Sequence, residues 1–195
     1  MRPLIQILLA LAALLLLTAC ETSVRKEMPS PTWREAQDDP LRVTNYQAAA
    51  ALMRQNGGVT AGVSNRPDKA NGSAPLIVAT IANVNALEQS STLGRLISEH
   101  ISSWLTQSGQ QVVELKLRNG VYMKRNEGEF MLTREVREVA AEHKASGVIV
   151  GVYSEGRRLL HVTLKLVDPA TSMVLSAYDY TLPLDDEIMA LLRKK

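Results

Sequence analysis

The chain has 195 residues, with 22 Lys and Arg against 20 Asp and Glu, a formal net charge of +2 and only 4% aromatic residues. That balance offers neither the electrostatic footprint nor the stacking platforms of a nucleic-acid binder, and no basic tract supplies them locally. A single cysteine, Cys20, excludes any intramolecular disulfide framework.

The chain opens with an export signal. Arg2 is a minimal positive n-region, residues 4–17 form an apolar h-region, and Thr18-Ala19 meets the small-residue requirement of a signal peptidase. Leu17-Thr18-Ala19-Cys20 resembles the bacterial lipobox, which implies a diacylglyceryl thioether on the Cys20 sulfur, cleavage before Cys20 and acylation of the freed amine. A transmembrane anchor is the first rival reading. About 14 apolar residues at roughly 1.5 Å each reach about 21 Å, short of a hydrocarbon core of roughly 30 Å. The second rival is an ordinary secretory signal with an incidental cysteine, but a lone thiol at the cleavage position is better explained as a lipid acceptor. One acyl chain binds membranes marginally, whereas two or more anchor stably. Asp after the cysteine favours inner-membrane retention in the Gram-negative lipoproteins this signal resembles, so Glu21 points to the outer membrane.

Removing residues 1–19 leaves 176 of the 195, enough for one domain with a self-sufficient core. Residues 20–45 hold the lipidated N-terminus and a stretch of prolines and charges without hydrophobic period, which reads as a flexible tether. A flexible chain of about 20 residues spans roughly 25 Å r.m.s.. Trp33 within it is either a docking anchor or an incidental linker aromatic, and the second is the plainer reading.

The folded domain is expected over residues 46–195. A short helix capped by Thr44 runs from Tyr46 through Leu52 and Met53 to a Gly57-Gly58 stop, and residues 59–73 form a turn-rich polar loop. Residues 75–82 are a continuous β-branched and apolar run, the pattern of a strand buried on both faces. Ser90 or Ser91 caps a helix whose Leu93, Leu96, Ile97, Ile101, Trp104 and Leu105 recur at three- and four-residue steps before Ser108-Gly109. Residues 111–117 form the next strand, so this is a βαβ unit with parallel strands. Thr133 caps a further helix over residues 134–145, and residues 147–153 return as a strand. The rhythm then shifts to a hairpin, with residues 158–167 and 173–180 alternating about a turn at Asp168-Pro169-Ala170-Thr171. After Pro183, acids Asp185, Asp186 and Glu187 open a last helix that closes on Arg193, Lys194 and Lys195, in accord with the helix macrodipole. The expected fold is a single α/β domain with a mixed sheet, parallel βαβ units followed by an antiparallel hairpin.

Catalytic motifs are missing from the expected folded domain: residues 46–195 hold no G-x-S-x-G, S-x-x-K, H-E-x-x-H or G-x-x-x-x-G-K-[ST]. His100 and His143 follow Glu99 and Glu142 on expected helices, but adjacent helical positions diverge by about 100° and cannot share a ligand. Both are expected to be solvated, and His161, on the polar face of a strand, to be structural. No metal or cofactor is expected. Gly94, in the first turn of a helix after a strand, suggests a phosphate loop only weakly without G-x-G-x-x-G; close helix packing on the sheet explains it as well.

Three stretches, 76–85 with 91–95 and 112–115, 128–135, and 147–154 with Leu166-Val167-Asp168, together resemble the FlgO family of flagellar outer-membrane lipoproteins over residues 46–183. The resemblance implies a domain similar to the N-terminal domain of TolB, a periplasmic protein-binding module. It also implies no enzyme activity and a role in motility at the outer-membrane end of the flagellar motor. Partners would be envelope or flagellar proteins, with neither nucleic acid nor a small-molecule substrate. A regulator similar to the LpoB type, a tethered lipoprotein that activates a peptidoglycan synthase, is the alternative; reaching an inner-membrane enzyme takes a longer Pro-rich arm than residues 21–45 provide. The candidate partner surface is the excursion over residues 118–130, where Tyr122, Met123 and Phe130 mingle with Arg118, Lys124 and Arg125, the mixture found in interface cores and rims. Its bland reading is a loop folded back over the sheet edge.

Overall fold

The computed structural model describes residues 30–55, 74–87, 91–113 and 134–193, with 134 and 135 in backbone only. The chain divides into two compact units, Met1–Gln37 and Asp38–Lys195. In the first, helix α1 (Trp33–Gln37) opens with a reciprocal cap: the Glu35 N–H donates to Thr32 Oγ1 at 3.4 Å and the Thr32 N–H to Glu35 Oε2 at 2.8 Å. Trp33 is 88% exposed.

The second unit begins with α2 (Pro40–Gln55), which starts ahead of the expected cap at Thr44. The cap is Asp39, whose carboxylate accepts from the Leu41 N–H at 3.0 Å and the Arg42 N–H at 3.2 Å, while Pro40 supplies a preset φ at the first helical position. The Asp-Pro signal was present in the sequence but sat in a stretch that reads as linker by composition. Leu41, Asn45, Ala48, Ala49 and Leu52 form the buried face, and its alanines allow close approach to the neighbouring elements.

Then follow β1 (Leu76–Val78), β2 (Ala82–Asn83), α3 (Thr92–Gln107), β3 (Val112–Val113), α4 (Arg134–Glu142), β4 (Gly147–Glu155), β5 (Leu159–Val167), β6 (Val174–Pro183) and α5 (Asp186–Leu192). The strands form one sheet in the order β3-β1-β4-β5-β6, with β2 also paired to β4. β1 is parallel to both β3 and β4, whereas β5 and β6 are antiparallel additions, so this is a single α/β domain with a mixed sheet. From β1 the chain crosses to β3 on one side, and from β3 back over β1 to β4 on the other. Two crossovers of the usual right hand made in opposite directions must lie on opposite faces. The cores agree: Leu93, Ile97 and Ile101 of α3 pack with α2 and α5 against Leu76, Ile149 and Leu164, while Val136 and Ala140 of α4 pack on Ile77, Val148 and Val150.

Both long crossover helices end by the same device. After α3, Gly109 (φ 83°) turns the chain so that the Gln110 N–H reaches Leu105 O at 2.9 Å and the Gly109 N–H reaches Thr106 O at 3.0 Å. After α4, Lys144 takes the same left-handed place (φ 51°), with the Ala145 N–H on Ala140 O at 2.8 Å.

Candidate functional site

The run expected as one strand over 75–82 is interrupted. Val78 pairs with Ile149 and Ala82 with Val152, so the first strand advances four residues while β4 advances three. One residue is therefore extra, and the bulge frees backbone groups that the ladder cannot satisfy. Ser98 on α3 takes them up. Its Oγ accepts from the Ile81 N–H at 3.0 Å and lies 3.1 Å from Ala79 O and 2.9 Å from Gly94 O, either of which its hydroxyl proton can reach. The helix comes so close here that a Cβ on Gly94 would fall 2.0 Å from Ile81 O. Gly94 is thus a packing glycine, and its amide is occupied by the Ser91 cap at 3.0 Å.

A second polar cluster joins three elements distant in sequence. Asn45 on α2 is fully buried; its Oδ1 accepts from the Tyr180 hydroxyl on β6 at 2.6 Å, and its Nδ2 lies 3.0 Å from His100 Nδ1 on α3. A carboxamide nitrogen only donates, so Nδ1 is the acceptor and the imidazole proton sits on Nε2. The Tyr46 ring meets His100 edge-on, centroids 6.3 Å apart, and the Gln107 side-chain amide donates to the Tyr46 hydroxyl at 3.2 Å. Burial lowers the His100 pKa below its ordinary value and raises that of Tyr180 strongly. His100 is therefore not the solvated residue expected: it is half-buried and hydrogen-bonded, because α2 packs across its side of α3. Sequence reasoning missed the cluster, although an Asn among Leu41, Ala48 and Leu52 on one helical face was a legible signal of a buried polar contact. His143 is exposed just beyond α4, and His161 is exposed on β5.

The outer face of the β4–β6 hairpin region is polar. In register, Ser154, His161 and Thr181 form one row across the three strands, and Val152, Thr163 and Asp179 the next. Near its end Met173, Val174 and Leu175 are 62%, 48% and 37% exposed. Among the described residues no three His, Cys, Asp or Glu side chains gather as a metal site, and no helix is long and apolar enough to cross a membrane. Cys20 and the candidate partner residues Arg118, Tyr122, Met123, Lys124, Arg125 and Phe130 lie outside the described residues.

The fold defines a mixed-sheet α/β domain, and several solved structures are similar to the chain. The LpoB C-terminal domain from Salmonella enterica aligns at 13% identity and a TM-score of 0.40, over 69% of this chain and 97% of that one. The Escherichia coli LpoB C-terminal domain aligns at 15% and 0.40, over 66% and 97%. A PelC dodecamer subunit from Paraburkholderia phytofirmans aligns at 19% and 0.41, over 60% and 76%. No curated protein matches the sequence. The chain belongs to the FlgO family, described as FlgO protein, whose sequence model matches residues 46–187.

Proposed function

We propose that this chain is an outer-membrane lipoprotein, anchored through acylated Cys20, whose domain faces the periplasm and works by binding proteins rather than by catalysis. Within that reading it serves assembly or anchoring of the flagellar basal body and hence motility. The observation that carries the proposal is membership of the FlgO family across residues 46–187, nearly the whole span of the folded unit. The N-terminal lipobox-like signal supports the anchor, and the lack of a catalytic motif in residues 46–195 supports a binding role. Residues 118–130 are the proposed partner segment. Their mixture of Tyr122, Met123 and Phe130 with Arg118, Lys124 and Arg125 is the composition of an interface core and rim.

Deletion of the gene in a flagellated host tests the flagellar reading. Swimming in soft agar falls while growth is unchanged. Normal swimming with a peptidoglycan-linked growth defect would instead select the alternative, a lipoprotein regulator of a peptidoglycan synthase.

A further inference from the structure

We propose that Asn45, His100 and Tyr180 form an acid-sensitive latch that holds α2 against α3 and β6 while the imidazole is neutral. The three residues are 55 and 135 positions apart in sequence from Asn45, so the bonds depend entirely on the packing of α2. A single carboxamide serves both partners: its oxygen is committed to Tyr180 and its nitrogen to His100. Proton uptake at Nδ1 sets an N–H against the Asn45 N–H and leaves two buried donors facing one another. Rotating the amide lets Asn45 accept from the imidazolium and donate to the Tyr180 oxygen, but it strips the Tyr180 hydroxyl proton of the acceptor it has at 2.6 Å, so a cost remains.

The charges around the ring act in both directions. From the start of α2, Asp39 favours the imidazolium and Arg42 opposes it; from α3 itself, Glu99 favours it. Among the described residues, Tyr46 on α2 and Tyr180 on β6 also lie against the cluster, and both are phenols. Burial outweighs the two carboxylates, so the ring holds its proton less readily when packed than when free. Asp39 cannot turn to pair with an imidazolium without surrendering the two backbone N–H groups it caps, which would unfasten the first turn of α2. The sign follows: above the ordinary value of 6.5 the ring is neutral in both states, and as pH falls below it the opened state takes up the proton first. Acid therefore loosens α2, the helix that follows the N-terminal segment in the chain.

The experiment uses the full chain purified in detergent. NMR of the imidazole is expected to show the Nε2–H tautomer at neutral pH and a titration midpoint below 6.5. Hydrogen exchange, corrected for intrinsic rates, is expected to speed up at residues 45–53 by about threefold or more between about pH 7.5 and pH 5.5, with β4 and β5 unmoved. His100→Gln is expected to abolish that acceleration whatever its effect on overall stability. A midpoint at or above 6.5, the Nδ1–H tautomer, or an acceleration that survives in His100→Gln overturns the latch.

Discussion

The Ser98 hydroxyl sits where the sheet's own ladder fails. It accepts the Ile81 N–H released by the bulge and lies within reach of the Ala79 and Gly94 carbonyls, in a position 8% exposed. Ser98→Ala removes the acceptor without altering shape much, and a buried donor left unsatisfied costs about 1–3 kcal/mol. Urea unfolding is expected to show that loss with an unchanged m-value; a loss below about 0.5 kcal/mol would mean that water replaces the hydroxyl. A lone serine on an apolar helix face looks like an ordinary tolerated substitution, so its role was not legible before the bulge was seen. Gly94 was half legible. Its position in the first helical turn marked it, but only the Ile81 carbonyl oxygen, which a Cβ on Gly94 would overlap, separates packing from phosphate binding.

Elements whose signals were local were read closely. Helix α3 starts after Ser91 and stops at Ser108-Gly109 because a cap, an apolar period and a left-handed glycine all agree within one segment. The interrupted β1–β2 strand was not legible, since the sequence run is almost uniformly apolar and the groups that satisfy the bulge come from Ser98 on α3. At the end of α4, Lys144 occupies a left-handed position that glycine adopts freely. Lys144→Gly is expected to stabilise the protein by about 0.4–1 kcal/mol, read as a rise in urea midpoint; a fall would show that the lysine side chain matters more than its φ. For the segment over residues 118–130, Tyr122→Ala with Lys124→Glu is expected to lower swimming while moving the melting temperature by less than about 2 °C. A drop of several degrees, or normal swimming, would make that segment packing and place the partner surface elsewhere.

For the molecule as a whole, the fold class was legible because its determinants are periods and turns: buried parallel runs, crossover helices, then alternating hairpin strands. The order β3-β1-β4-β5-β6 was legible only as its parallel βαβ pair and its C-terminal hairpin, because the pairing of β4 with β1 and with β5 leaves no local mark in one sequence. The family was legible through the resemblance, which the match over residues 46–187 established as membership. The central claim is that the domain works on the outer membrane, held there by Cys20. Its most direct test is swimming of the deletion strain complemented with either the wild-type chain or Cys20→Ser at equal domain levels. The wild type is expected to restore swimming with the protein in the outer-membrane fraction, and Cys20→Ser to leave an uncleaved or soluble protein and a non-swimming strain. Full rescue by Cys20→Ser, or its recovery in the outer membrane like the wild type, would contradict the account.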